Sequence, residues 1–147
     1  MKVDIRIVND SLTPAINKLI KESGALSKSV LKAMGVSLQS RIVRSFTDQG
    51  LRIETWKPKK DGTPTTLQRS TTLRGSIDLT ECTDKHATVS TSTVYGQFHQ
   101  FGTRKGLPRR PFFPFKKNGK IDEHHETALV KVGQSQLDAE LKKIDKS

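Results

Sequence analysis

Apolar and charged residues alternate at the start of the chain: Val3, Ile5 and Ile7 are apolar, whereas Lys2, Asp4 and Arg6 are charged. A period of two gives one dry and one wet face, so Met1 to Val8 is predicted as a half-buried strand. Asn9-Asp10-Ser11 breaks the pattern. Thr13-Pro14 supplies a hydroxyl cap followed by proline at the first helical position, where its missing N–H costs nothing. Ile16, Leu19 and Ile20 then form a short stripe that Ser23-Gly24 is expected to stop. From Ser27, a second candidate cap, the apolar steps become three and four: Leu31, Met34, Leu38, Ile42 and Phe46 fall on one helical face, with Lys28, Lys32, Arg41 and Arg44 off it. Gly35 interrupts this helix at about 1 kcal/mol relative to alanine, unless another element packs closely there.

Regularity fades from Thr47 to Thr72, where Gly50, Pro58, Gly62 and Pro64 punctuate a polar stretch around the single tryptophan, Trp56. The reading is a long loop at about 47–72. Leu73 to Leu79 reads as either strand or short helix. Ala87 to Val94, rich in threonine, serine and valine, reads as a strand. Tyr95 to Phe101 is aromatic and turns helical before Gly102. Asp122 caps a final helix carrying Ala128, Leu129, Val132, Leu137, Leu141 and Ile144, whose lysine-rich end suits the helix dipole or frays as a flexible tail. The expected class is α+β, in one domain over 1–147. A small antiparallel sheet comes from the N-terminal strand, the Ala87 segment and, as further candidates, Leu73 and Phe112. It packs against the long helix, with additional N- and C-terminal helices and long loops.

Composition narrows the picture. The hydrophobic share is 33% of 147 residues, lean beside the roughly 45–50% of average usage, a figure that also counts glycine. Such a chain closes one modest core, and its long polar stretches suit either a partner-completed assembly protein or a domain with loose loops. The net charge of +11 attracts polyanions. Nucleic acid, an acidic protein, an anionic membrane surface and a merely solvated basic domain all stay open on charge alone. No apolar run approaches the roughly 20 residues of a membrane span, and the N-terminus has no secretory h-region, so a soluble protein is expected. Cys82 is the only cysteine, which excludes an internal disulfide and fits a reducing cytoplasm.

Candidate chemistry is sparse. Neither a P-loop nor a dinucleotide fingerprint occurs. His99, His124 and His125, with Glu123 or Glu126 helping, would be the metal candidates, but the adjacent His124 and His125 point in different directions where helix ligands want spacings of three or four, so no metal site and no cofactor are expected. Glu54-Thr55-Trp56-Lys57 is not a nuclease spacing, and nothing supports a nucleophile–histidine pair. No enzyme is expected. The richest segment is Thr103 to Lys120, where Arg104, Lys105, Arg109, Arg110, Lys116, Lys117 and Lys120 occur without an acid, interleaved with Pro108, Pro111, Phe112, Phe113, Pro114 and Phe115. Cations with aromatics suit phosphates and stacked bases. The same Pro-Phe-Phe-Pro-Phe run also reads as a core anchor, with the arginines pairing an acidic subunit surface. Trp56 either covers the core edge or anchors a subunit contact.

The order of motifs then carries a resemblance. Phe46 with Gly50, Trp56-Lys57-Pro58, Thr65-Thr66-Leu67, Leu73-Arg74-Gly75-Ser76-Ile77, Tyr95-Gly96-Gln97-Phe98-His99-Gln100-Phe101-Gly102 and Pro108-Arg109-Arg110-Pro111-Phe112-Phe113 together resemble the phage virion-morphogenesis (tail-completion) family of Mu-like and P2-like phages, from about Leu31 to Phe115. Thr72, Gly96 and Arg109 depart from the family pattern, which leaves open whether Arg109 or Arg110 fills the family arginine's role. The resemblance implies a non-enzymatic virion protein of the neck or head-proximal tail end, assembled in the host cytoplasm. It would act in tail completion or head–tail joining as a homo-oligomeric ring with other neck and tail proteins, in non-specific contact with packaged DNA. The residues it implicates are Arg104, Lys105, Arg109, Arg110, Lys116, Lys117 and Trp56 for interaction, and Tyr95, His99, Phe101, Gly102, Pro111 and Phe112 for the motif's framework. Phe101 and Tyr95 are expected in the core, with Gly102 at a backbone angle closed to other residues. The alternative function is a small basic nucleic-acid-binding protein using Phe101 to Lys117.

Overall fold

The computed structural model describes residues 2–6, 24–65, 67, 72–84, 86–116 and 120–145. The expected helix over Thr13 to Ser23 lies outside them, as does Lys117. The architecture is α+β. Strand β1 (Lys2–Arg6) is followed by helix α1 (Gly24–Ser45), a 3-10 turn (Gln49–Leu51), the short helix α2 (Thr72–Gly75), strands β2 (Ile77–Cys82) and β3 (His86–Thr91), helix α3 (Gly96–Phe101) and helix α4 (Glu123–Asp145).

The sheet order is β1-β3-β2, antiparallel throughout, with Val3 opposite Val89 and Ile77 opposite Thr91. β3 is central, and its side chains from Ala87 to Thr91 are buried. Alternation puts Ala87 and Val89 on one side and Thr88 and Ser90 on the other. The polar pair is satisfied in part by Ser90 Oγ donating to Thr80 Oγ1 at 3.1 Å. A bulge between Leu79 and Glu81 bends β2.

α1 buries the predicted stripe: Leu31, Leu38, Ile42 and Phe46 are at most 1% exposed, and Met34 is close behind. The expected start at Ser27 is corrected, since the helix already runs from Gly24; the expected stop at Ser23-Gly24 concerns the preceding helix, which lies outside the described residues. Gly35 is where the helix meets the sheet. A Cβ there would lie 2.8 Å from Leu79 Cδ1 and 3.3 Å from Ala87 Cβ, so the missing side chain lets helix and strands approach. α4 lies along α1, with Leu129 and Leu137 in the shared core. Its start is capped as expected: Asp122 Oδ2 accepts from His124 N at 3.2 Å and Asp122 O from Glu126 N at 3.0 Å.

Two sheet candidates are corrected. Leu73 belongs to α2, a single turn closed by Ser76 N donating to Leu73 O, and the strand begins only at Ile77. Phe112 is not in a strand; proline on both sides of Phe112-Phe113 removes ladder donors. Among the described residues the segment forms an isolated bridge, Phe115 to Ile121.

Candidate assembly surface

Segment 94–116 and the tryptophan loop form one unit on top of the α1 end. Its inner part is an aromatic knot. Trp56 lies edge-on to Phe46 with ring centres 5.8 Å apart, Phe112 is 5.6 Å from Phe46, and Phe113 is 5.1 Å from Phe112. Such pairs add about 0.5–1.5 kcal/mol each beyond their burial. Trp56 Nε1 donates to Pro111 O at 2.9 Å, while the Arg52 guanidinium stacks 3.7 Å above the indole. Arg52 also donates to Ser45 O and Phe46 O, capping the last carbonyls of α1.

The least expected member is Gln100, which is fully buried. Its Oε1 accepts from Phe112 N (3.0 Å) and Phe113 N (2.8 Å), and its Nε2 donates to Phe113 O (3.0 Å). The amide thus does for this proline-flanked segment what a neighbouring strand would do. Sequence reasoning passed over Gln100; the available signal was a segment unable to complete a ladder, beside an aromatic helix that carries two amides, Gln97 and Gln100.

Both arginines of the last box hold the same unit together. Arg110, 6% exposed, donates from Nε to Lys57 O (2.8 Å) and from Nη2 to Pro58 O (3.1 Å). Arg109 pairs Glu54 at 3.1 Å and donates to Phe115 O at 3.0 Å. Trp56 and Arg110, two of the residues implicated in interaction, therefore lie inside the chain, and Arg109 is half-buried. Of the rest, Arg104 and Lys105 are exposed on the turn after α3. Lys116 bridges to Glu123 at 3.1 Å on the surface.

The framework residues divide. Pro111 and Phe112 are buried. Gly102 has φ +74° and ψ 177°, as expected, and a Cβ there would meet Leu107 O at 2.9 Å and Arg109 N at 3.0 Å. The core placement of Tyr95 and Phe101 is corrected: they are 41% and 61% exposed, alongside Phe98 at 42% and Val94 at 77%. Consecutive residues on a helix point about 100° apart, so once Gln100 faces inward, Phe101 is turned out. Tyr95 rests edge-on against His99, 6.1 Å between centres.

The histidines differ in their surroundings: His124 and His125 rest edge-on with ring centres 5.8 Å apart, while His99 lies on α3. His99 Nδ1 is buried without a hydrogen-bond partner, and burial, followed by the Arg110 charge, lowers its pKa. His125, 3% exposed, accepts at Nδ1 from Arg41 Nε (3.0 Å) and bonds Leu51 O through Nε2 (2.9 Å). Those partners require the neutral ring protonated at Nε2. Burial is the main cause that lowers the His125 pKa, and the Arg41 charge adds to it, against the raising effect of the Leu51 bond. Among the described residues no cluster of three or more histidine, cysteine or acidic side chains is placed to hold a metal, and no helix is long and apolar enough to cross a membrane.

Comparison with known proteins finds a family model described as the phage virion morphogenesis family over residues 4–128. No curated protein and no solved structure matches.

Proposed function

Because the chain belongs to the phage virion morphogenesis family, with a role in building the phage particle, we propose that it is a non-enzymatic structural protein of the neck or head-proximal tail end. In this reading it completes the tail or joins it to the head as an oligomeric ring. The observation that carries the proposal is the family match across most of the chain. The outward-facing aromatic residues of α3 and the cations next to them support it, since a subunit that closes a ring needs surface to offer its neighbours. Arg104, Lys105 and Lys116 are the exposed cations that would meet an acidic neighbour or packaged DNA.

The nucleic-acid alternative loses ground on specific residues. Phe112 and Phe113 are inside and unavailable for stacking, and Arg109 and Arg110 are committed to carbonyls and to Glu54.

Electron microscopy of lysates from the parent phage lacking this gene tests the proposal. DNA-filled heads beside separate, finished tails are expected. Ordinary infectious particles would overturn the assembly role.

A further inference from the structure

The exposed stripe on α3 and the charges near it define a contact more specific than "a ring". Phe98 and Phe101, one helical step of three apart on α3, are exposed together, and Tyr95 at the N-cap and Val94 on the turn before it are exposed beside them. Large apolar residues gathered on one side of a soluble chain mark an interaction surface, and a chain that is only 33% hydrophobic has few to spare. Directly beyond the stripe, Arg104 and Lys105 stand on a tight turn in which Thr103 N donates to Leu107 O (3.0 Å) and Gly106 N to Thr103 O (3.3 Å). The stripe therefore has a basic rim held in place by backbone bonds.

Charge decides what covers it. Two copies meeting stripe to stripe about a two-fold axis would bring Arg104 and Lys105 of both copies to one contact, and like charges across an interface repel. An acidic mate is needed, and this chain carries one elsewhere. Strand β2 is an edge of the sheet and presents Asp78 and Glu81, both exposed. Glu81 leans on His86 at 3.3 Å yet stays 57% exposed. The bulge between Leu79 and Glu81 and the strand's charge blunt ladder pairing with another strand, leaving the edge to side-chain docking.

We propose that the α3 stripe and its Arg104–Lys105 rim dock on the Asp78–Glu81 edge of β2 in the next copy of the chain. The two surfaces differ, so the contact is head-to-tail, the type that generates a ring when its rotation closes. This inference rests on the ring reading above and names the contact that builds it.

The test uses the purified full chain at low salt, with mass by light scattering and shape by negative-stain microscopy. Wild type is expected to assemble. Arg104→Glu with Lys105→Glu should weaken assembly by about 100-fold or more, and so should Asp78→Lys with Glu81→Lys, since misplaced like charges are costly at an interface. Combining all four substitutions in one chain restores opposite signs and should recover assembly to within about tenfold of wild type. All four positions are exposed, so melting should be unchanged; Phe101→Ser, which removes apolar contact without altering charge, should also weaken assembly at unchanged melting. If wild type forms rings and the charge-reversed pairs form them equally well, this contact is overturned and the ring survives. Loss of assembly without rescue in the four-substitution chain rules out β2 as the mate. A wild type that stays monomeric at every concentration removes the ring itself, and this contact with it.

Discussion

Phe101 and Phe112 belong to one aromatic stretch, yet Phe101 is 61% exposed and Phe112 only 3%. Both sit beside motif glycines, prolines and arginines, so local composition does not separate them. What separates them is Gln100. Its side chain turns inward to hold the Phe112-Phe113 backbone, which carries Phe112 and Phe113 into the knot with Phe46 and Trp56 and leaves Phe98 and Phe101 on the far side of α3. A buried amide that satisfies an otherwise unpaired backbone outranks one more ring in the core, because unmet buried hydrogen bonds cost more than a ring left wet.

The inner half should break hardest. Gln100→Ala leaves Phe112 N and Phe113 N without their acceptor, while Phe113 O keeps the Phe115 N donor, and should cost about 2–6 kcal/mol, at about 1–3 for each unmet buried group. Phe113→Ala should cost a similar 3–5 kcal/mol. Urea unfolding midpoints check both; a Gln100→Ala protein as stable as wild type would mean the segment finds other partners. Gly102→Ala is expected next, with about 1–3 kcal/mol of backbone strain at its positive φ before the contact with Leu107 O. Gly35→Ala tests the helix–sheet approach. The helix gains about 1 kcal/mol of propensity, but overpacking against Leu79 should cost about 1–3, so a net loss is expected in thermal melting.

The pH response is expected to be smaller and to come from the interior. His125 has a lowered pKa in the folded chain, so the unfolded chain takes the proton first as pH falls. The associated stability is complete above the ordinary histidine pKa of about 6.5 and is lost as pH falls below it. His99 acts in the same direction. His125→Gln keeps an acceptor for Arg41 and a donor for Leu51 O, so its stability should vary less between about pH 6.5 and 5. An unchanged slope would assign the effect to other groups. The smallest effect belongs to the outer half: Phe101→Ala should shift stability by less than about 0.5 kcal/mol, as surface substitutions do. A loss of several kcal/mol would mean that the ring is covered in the folded monomer.

The long elements were legible because their periods were long. Four steps of three and four, from Leu31 to Phe46, identify a face without further information, and the Thr-Val-Ser run of β3 needs only a period of two. Gly102 and the close approach at Gly35 could be anticipated because glycine inside a motif or a helix has few physical reasons to be there. The short elements were not legible in the same way. α3 spans Gly96–Phe101, under two turns, too few to establish which side is dry, and its rings made the wrong side look like the core.

The sequence by itself therefore determined the α+β class, the long helices α1 and α4, the central strand and the family, since each follows from patterns carried within one segment. Only the tertiary structure decided which aromatics are buried, that Arg110 straps the tryptophan loop, and that Gln100 faces inward. Those outcomes depend on backbone groups brought together from segments far apart in the chain, and periodicity within a segment does not contain that information.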